Sequence, residues 1–548
     1  MKSSGTAGLG AAALVALLIT AALIALFYLG WQAAGLPFVP FDLFDWTTRV
    51  LPGPVIRFGI GTMVTVIGAL HLGPTAATAK LAEQTMAIAG LLFTGLITGM
   101  ILFGILRAWH SRSALLLGLG LGVILGLPIM FLSLRASQTA SVAPALSAVW
   151  VLGMFLLWGA TLGRAEGHLA GTPGTETAAG QTGPGDEAAA VERIDRRRFL
   201  IRLGGSTAAI TVVGAAVGKL AEAQHQRVAV GATNQRWSAT HPLPNAQAPV
   251  QPAAGTRPEF TPLERHYRID INTVPPAIEE SQWRLKIQGL VEQPLAMTLA
   301  EIRRYEPMHQ FVTLSCISNP VGGDLIGTTR WTGVSLQRLL PDWRLKPGAS
   351  HLKIRAADDF YEVVALDAIK ADERVMLAYA WDGLPLTRDH GFPLRIYIPD
   401  IHGMKQPKWI ASIEVLDHWE PGYWVKRGWD KVAQMKATAV IDAVAVDMTI
   451  IEADHRKVVP IGGIAHAGAR GISKVEVQVD EGPWQAAALR TPLSELTWVV
   501  WRYDWPFTPG NHTFTVRCTD GKGAQQIATA SPPEPNGASG LHNKTQMF

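Results

Sequence analysis

Cys316 is the residue with the most chemistry to offer. The chain has only two cysteines, and this one closes an alternating, β-branched run, Phe311-Val312-Thr313-Leu314-Ser315, that predicts a strand. Asn319-Pro320, Gly322-Gly323 and Gly327-Thr328-Thr329 follow, a loop that needs backbone freedom. A thiol at a strand end, facing a glycine-rich loop, is a place where a sheet can hold a soft metal ligand rigidly. The other reading is a small buried hydrophobe, which free cysteines usually are. The cysteine alone leaves both open. Cys518, in the strand-like run HTFTVRC, reads as a core thiol, and two cysteines so far apart argue against a disulfide scaffold.

The surroundings of Cys316 carry a resemblance. TLSCISNPVGGDL followed by TTRWTGV resembles the molybdenum-ligand segment of the sulfite oxidase family of molybdopterin enzymes. RDHGFPLRIYIP (Arg388–Pro399) and GMKQPKWI (Gly403–Ile410) agree with the same family in order and spacing. The likeness runs from about Glu264 to the C-terminus. It implies a molybdenum–molybdopterin cofactor, with the Cys316 thiolate as the protein's metal ligand beside the two sulfurs of the pterin.

A pterin that ends in a phosphate needs cationic and hydrogen-bonding side chains in a deep pocket. By resemblance, Arg268, Asp270 and Asn272 fall in the family's opening cofactor segment. Asn319 completes Cys-x-x-Asn, and His390 with Arg395 matches a pterin-binding pair. Lys408 matches a phosphate-region lysine, Asp358 a weaker cofactor position, and Arg330-Trp331 a pocket wall beside the metal. A charged residue ordinarily sits on the solvated surface; Arg395, inside the apolar run LRIYI, fits that place poorly.

Two departures bear on the substrate. Sulfite oxidases of the family follow Cys-x-x-Asn with a pair of arginines, where this chain has Pro320-Val321. They carry a tyrosine beside the metal in a segment like YWxRRDYK, where YWVKRGWD (Tyr423–Asp430) places Trp429. Loss of a bidentate anion clamp and of a phenol makes sulfite a doubtful substrate. Lys426 and Arg427 keep some cationic character. Cys316, Arg330 and Trp429 are the expected catalytic set.

The elements that must position these residues divide the chain. At 548 residues more than one domain is expected. The apolar excess lies in roughly the first 225 residues. Gly8–Leu29, Met86–Leu106, Ala114–Leu134 and Val142–Leu162 read as membrane spans. Pro54–Leu70 reads as an interfacial helix, with a fifth span the alternative. Arg107, His110 and Arg112 after the second span, and Arg164 with Arg193 to Arg202 after the fourth, place those loops and the N-terminus in the cytoplasm.

Residues 1–165 are therefore expected to form an α-helical membrane domain and 166–195 a cytoplasmic linker. Residues 196–222 resemble a twin-arginine export signal, Arg196-Arg197-x-Phe199-Leu200, that stays as an anchor; an ordinary flanked span gives the same topology. Residues 223–262, rich in Pro, Ala and Gln, read as a tether. Residues 263–432 have an α+β pattern, with strands at His266–Pro276, Trp283–Val291, His351–Leu366 and Leu394–Asp400. Residues 433–548 read as an all-β sandwich. The family carries an immunoglobulin-like, dimer-forming domain there, so both features are expected by resemblance.

Net charge is +4 and diffuse, which argues against a nucleic-acid partner. The resulting expectation is a multi-pass protein of a bacterial plasma membrane with its catalytic domain outside the cytoplasm. It would perform two-electron oxo transfer on a small substrate, poorly on sulfite, and exchange electrons with a redox partner, quinone or cytochrome, that the sequence does not name. One rival is a true sulfite oxidase whose anion site is rebuilt from Arg330, Lys426 and Arg427. A second is a non-catalytic membrane electron-transfer or anchoring protein, although such a relic has no reason to keep Cys316, His390 and Arg395. A haem-bearing subunit is disfavoured, because His71 and His110 lie at span ends and form no facing pair.

Overall fold

The computed structural model describes residues 9–109, 113–137, 140–170, 235–448 and 457–548, with 450–451 and scattered positions between 201 and 213. Linker 171–190 and the Arg196-Arg197 pair lie outside the described residues.

Six helices open the chain: α1 (Leu9–Ala34), α2 (Val39–Val50), α3 (Gly53–Leu70), α4 (Thr75–Trp109), α5 (Ala114–Ala136) and α6 (Pro144–Ala170). All except α2 are long and apolar enough to cross a membrane, which makes five where four and an interfacial helix were expected. Helix α3 has the lowest hydropathy of the five, and of its residues only Ile67 is buried.

The chain forms two compact units. One gathers Met1–Val50, Lys80–Val230 and Asn272–Ala277; the other gathers Leu51–Ala79, Gly231–Ile271 and Ile278–Phe548. In the helical unit α5 and α6 meet along small residues: a Cβ on Gly122 would lie 2.6 Å from the Phe155 carbonyl, so only glycine permits this approach. Helices α1 and α6 are joined by a buried bond in which the Trp158 indole donates to Thr20 Oγ1 at 3.0 Å.

Residues Asn272 and Thr273 belong to this helical unit and are fully buried. Arg49 donates to Asn272 Oδ1 (2.8 Å) and Lys80 to the Asn272 carbonyl (2.7 Å). Asp45 accepts from the Thr273 N–H (2.9 Å), and Gln84 donates to the Thr273 carbonyl (3.2 Å). With these backbone groups taken by side chains, no ladder forms, and the strand expected over His266–Pro276 is absent.

In the other unit, ten strands precede residue 417: β1 (Leu285–Gly289), β2 (Leu295–Met297), β3 (Met308–Ser315), β4 (Ile326–Ser335), β5 (His351–Ala356), β6 (Tyr361–Ala365), β7 (Met376–Trp381), β8 (Leu384–Pro385), β9 (Arg395–Tyr397) and β10 (Ile410–Leu416). They make two sheets, β2-β1-β10-β5-β6 and β3-β4-β7-β8, with β9 paired to β7. Leu285, Ile287, Leu352, Ile354, Leu377, Ile396, Ile413 and Val415 line one buried core between them. Each such side chain contributes about 1.5–3 kcal/mol on burial, an upper estimate.

After residue 437, two further sheets share a core that includes Ile441, Val459, Val475, Val477, Trp501 and Phe514. The stretch expected to be a tether is laid over the sheet unit from Trp237 onward. There Arg490 donates to Glu259 (2.8 Å) and to the Asn245 carbonyl (2.9 Å), and all three residues are buried. Its small and proline-rich residues follow a surface as closely packed coil; composition alone could not tell this from flexibility.

Candidate active site

Strand β3 delivers Cys316 one residue beyond its end. The Cys316 N–H donates to the Leu325 carbonyl (2.9 Å), and Sγ lies 3.0 Å from Ser318 Oγ. The thiol is buried, and burial pushes its pKa up while the Ser318 bonds pull it down. Among the described residues no three His, Cys, Asp or Glu side chains converge as a metal site.

Tyr267 interacts electrostatically with both Cys316 and Arg395, and around Arg395 the fold gathers cations and rings. Strand β9 carries Arg395, whose guanidinium stacks on Trp331 at 4.7 Å and donates to the His390 carbonyl at 3.2 Å. His390 lies 4.3 Å from the Trp381 ring and 5.6 Å from the His266 ring. Lys408 donates to Asp270 (3.1 Å) and to the Asp389 carbonyl (3.0 Å). Arg268 pairs with Asp270 (2.8 Å) and Asp389 (3.0 Å).

Burial governs the titration of this group. It lowers Arg395 to about 10 and Lys408 to about 8, with Asp270 pulling Lys408 back up. His266 is lowered to about 3 by burial and by the neighbouring Arg395 and Lys408 charges, so it is neutral. His390 is lowered for the same reasons. A cradle that already crowds its own cations is suited to an anion.

Three buried polar atoms in this cluster have no hydrogen-bond partner: His266 Nε2, Trp331 Nε1 and Trp381 Nε1. Such atoms are costly unless a ligand satisfies them. Their rings are neighbours, with the His266 ring 6.1 Å from Trp331 and 5.6 Å from Trp381. Cationic groups for a phosphate, and indole and imidazole nitrogens for a heterocycle, fit a pterin.

Residues 271–424 match the family of the oxidoreductase molybdopterin binding domain. The match contains Cys316, His390, Arg395 and Lys408. Over this part of its length the chain is similar to molybdopterin oxidoreductases of the sulfite oxidase and nitrate reductase kind. Molybdenum–molybdopterin is the cofactor of this family domain. Sulfite oxidase of Gallus gallus is 27% identical over 280 residues, 43% of this chain and 61% of that protein. Inducible nitrate reductase [NADH] 2 of Glycine max is 27% identical over 311 residues, 47% of this chain and 34% of that protein. The chain thus spans less than two thirds of either relative. The crystal structure of the sulfane dehydrogenase SoxCD from Paracoccus pantotrophus overlaps 53% of this chain and 81% of its own, at 20% identity and a TM-score of 0.46.

The residues expected to serve the family's cofactor are not all brought together. Arg268, Asp270, His390, Arg395 and Lys408 converge. Arg330 does not join them: neighbouring strand residues face opposite ways, so Trp331 meets Arg395 while Arg330 stacks on Trp237 at 4.9 Å. Asn272 is held by Arg49 and Lys80 in the helical unit. Asn319 holds the loop after Cys316, its Oδ1 accepting from the Leu325 N–H at 2.9 Å. Asp358 accepts from the Phe360 N–H (3.2 Å) in the β5–β6 turn.

His266, Tyr267 and Trp381 were not anticipated. His266 and Tyr267 stand directly before Arg268 in HYRIDINTVPP, and that adjacency was the available signal. Trp381 gives none, because only the sheet brings it to His390.

The residue after Cys316 enters apolar surroundings. Ile317, Met404, Trp429 and Ala433 form a buried cluster, with Trp424 and Val425 packed against it. Trp429 Nε1 is also buried without a partner. Lys426 and Arg427 lie over the rings of Tyr361 (5.1 Å) and Tyr423 (3.6 Å).

Proposed function

We propose that this chain is a membrane-anchored molybdenum oxidoreductase that performs two-electron oxo transfer on a small, neutral or weakly charged substrate outside the cytoplasm. The observation that carries the reading is the contrast at Cys316, between a cationic cradle with unsatisfied donors and an apolar wall. Molybdenum–molybdopterin, when bound, supplies the oxo-transfer chemistry. The chain's residues hold and orient it. Cys316 would ligate the metal; Arg268, Arg395 and Lys408 would meet the phosphate and ring oxygens. His266, Trp331 and Trp381 would satisfy their nitrogens on the same group.

Ile317, Met404 and Trp429 exclude water from the substrate side, and Trp429 Nε1 offers one donor to a substrate oxygen. The arginine pair of the sulfite-oxidising members is replaced by Pro320-Val321. Arg330, Lys426 and Arg427 each stack on an aromatic ring, which weighs against a rebuilt clamp. The relatives named for sulfite and nitrate bear on the reaction class only.

Five apolar helices support membrane anchoring. Positive loops support a cytoplasmic N-terminus, with the catalytic unit outside. Grouping of α3 with the sheet unit supports an interfacial seat for that helix. An immunoglobulin-like, dimer-forming role for residues 433–548 remains part of the proposal.

Metal and pterin analysis of the purified protein, followed by steady-state kinetics, tests the reading. Molybdenum should be present. Turnover of a sulfoxide or N-oxide with an artificial donor should exceed that of sulfite with an artificial acceptor. A sulfite kcat/KM of about 10⁴ M⁻¹s⁻¹ or more would refute the substrate assignment. Absence of molybdenum would refute the enzyme.

A further inference from the structure

Helix α3 lies outside the family-matched residues, yet it reaches the segment that carries Trp429. Arg57 Nη1 donates to the Gly428 carbonyl at 2.8 Å. The approach is closer than side chains allow. A Cβ on Gly53 would lie 2.6 Å from the Arg427 carbonyl oxygen, and a Cβ on Gly428 would lie 2.6 Å from Arg57 Nη1. Gly428 also has φ +89°, a left-handed conformation that a side chain would strain. Glycine on both partners marks a built contact.

The contact bears on Trp429 through one peptide plane. The Gly428 carbonyl and the Trp429 N–H belong to the same rigid unit. Arg57 holds its oxygen, and the Trp424 carbonyl accepts from its N–H at 3.1 Å. A plane fixed at both edges sets the direction in which the backbone enters Trp429. Its side chain belongs to the buried cluster that includes Ile317, the residue after Cys316, and its Nε1 is buried and unpartnered. Arg57 is not itself at the reacting atoms.

We propose that Arg57 is a positioning residue for the substrate wall: by clasping the Gly428 carbonyl, a helix near the N-terminus fixes the Trp429 indole in the apolar cluster of Ile317, the residue after Cys316. The proposal rests on the reading of Trp429 as part of that wall. It adds that residues 53–57, far from the matched domain in sequence, complete the site.

The test is a double-mutant cycle in the full-length holoenzyme, with Arg57→Ala, Trp429→Phe and the pair. Sulfoxide turnover, molybdenum content and hydrogen exchange over residues 423–433 are read for each. Arg57→Ala should lower kcat/KM about tenfold, leave molybdenum content unchanged, and speed exchange of the Trp429 amide. In the Trp429→Phe background the same change should cost almost nothing further, and Arg57→Lys should restore part of the loss. Strictly additive losses, or unaltered exchange, overturn the proposal. If Arg57→Ala does not fold, Arg57→Lys and Gly53→Ala replace it, and wild-type exchange and turnover in both would overturn the proposal equally. If Trp429→Phe alone leaves turnover intact, the substrate-wall reading fails and this inference falls with it. The exchange arm needs no substrate, so it still decides the clasp.

Discussion

The two sides of Cys316 are built on opposite principles. Toward Arg395, His390 and Lys408 the protein buries charge and leaves donors without acceptors, which is unfavourable until something anionic arrives. Toward Ile317, Met404 and Trp429 it buries hydrocarbon and rings, which is stable as it stands. The first side holds residues expected there by resemblance; the second carries Pro320, Val321 and Trp429 where the resemblance led to other residues. On the proposed function, the difference teaches that holding a cofactor and choosing a substrate are separable tasks, served by different residue types.

The largest effect should come at the residue both sides share. Cys316→Ser is expected to lower turnover by about three powers of ten or more and to alter the molybdenum spectrum, with the fold retained. An unaltered spectrum would remove the centre of the comparison. Next, Arg395→Met should weaken cofactor retention by about 10–100-fold, the value of a buried charge-assisted contact. Its surviving loaded fraction should keep the wild-type preference between sulfoxide and sulfite. A changed preference would mean that the two sides are not separable.

A smaller effect tests the apolar side. Val321→Arg with Trp429→Tyr should raise sulfite kcat/KM by about tenfold at constant molybdenum content. The smallest concerns pH. Burial lowers Lys408 to about 8, so the ligand-free protein carries this charge below that pH and loses it above. A phosphate needs the charged form, so reconstitution should weaken by up to about tenfold between pH 7 and 9. Lys408→Arg should flatten that dependence, because arginine stays charged throughout.

Much of the cradle was legible because charge in an apolar strand is conspicuous. Arg395 within LRIYI had no ordinary surface explanation, and it is buried on β9. The strand leading to Cys316 was legible from its alternation, although it begins three residues earlier, at Met308. The misplacement of Arg330 came from reading Arg330-Trp331 as one unit, where a strand sends neighbours to opposite faces. Asn272 misled because a polar residue in a cofactor segment suggests a ligand, and nothing local announces that Arg49 and Lys80 will take it. Trp237 to Pro262 misled because coil packed on a surface and coil in solvent share a composition.

The division of the chain has a practical consequence. Residues 51–79 sit with the sheets, and residues 272–277 sit with the helices. No single cut therefore separates the sheet unit from the apolar helices. A truncated version starting at residue 231 would lack 29 residues of its own unit, Arg57 among them. It would also release Asn272 and Thr273, buried in the intact protein, to find other partners. Anyone seeking a soluble form for crystallisation or biotechnology would do better to redesign the surface of the apolar helices than to remove them.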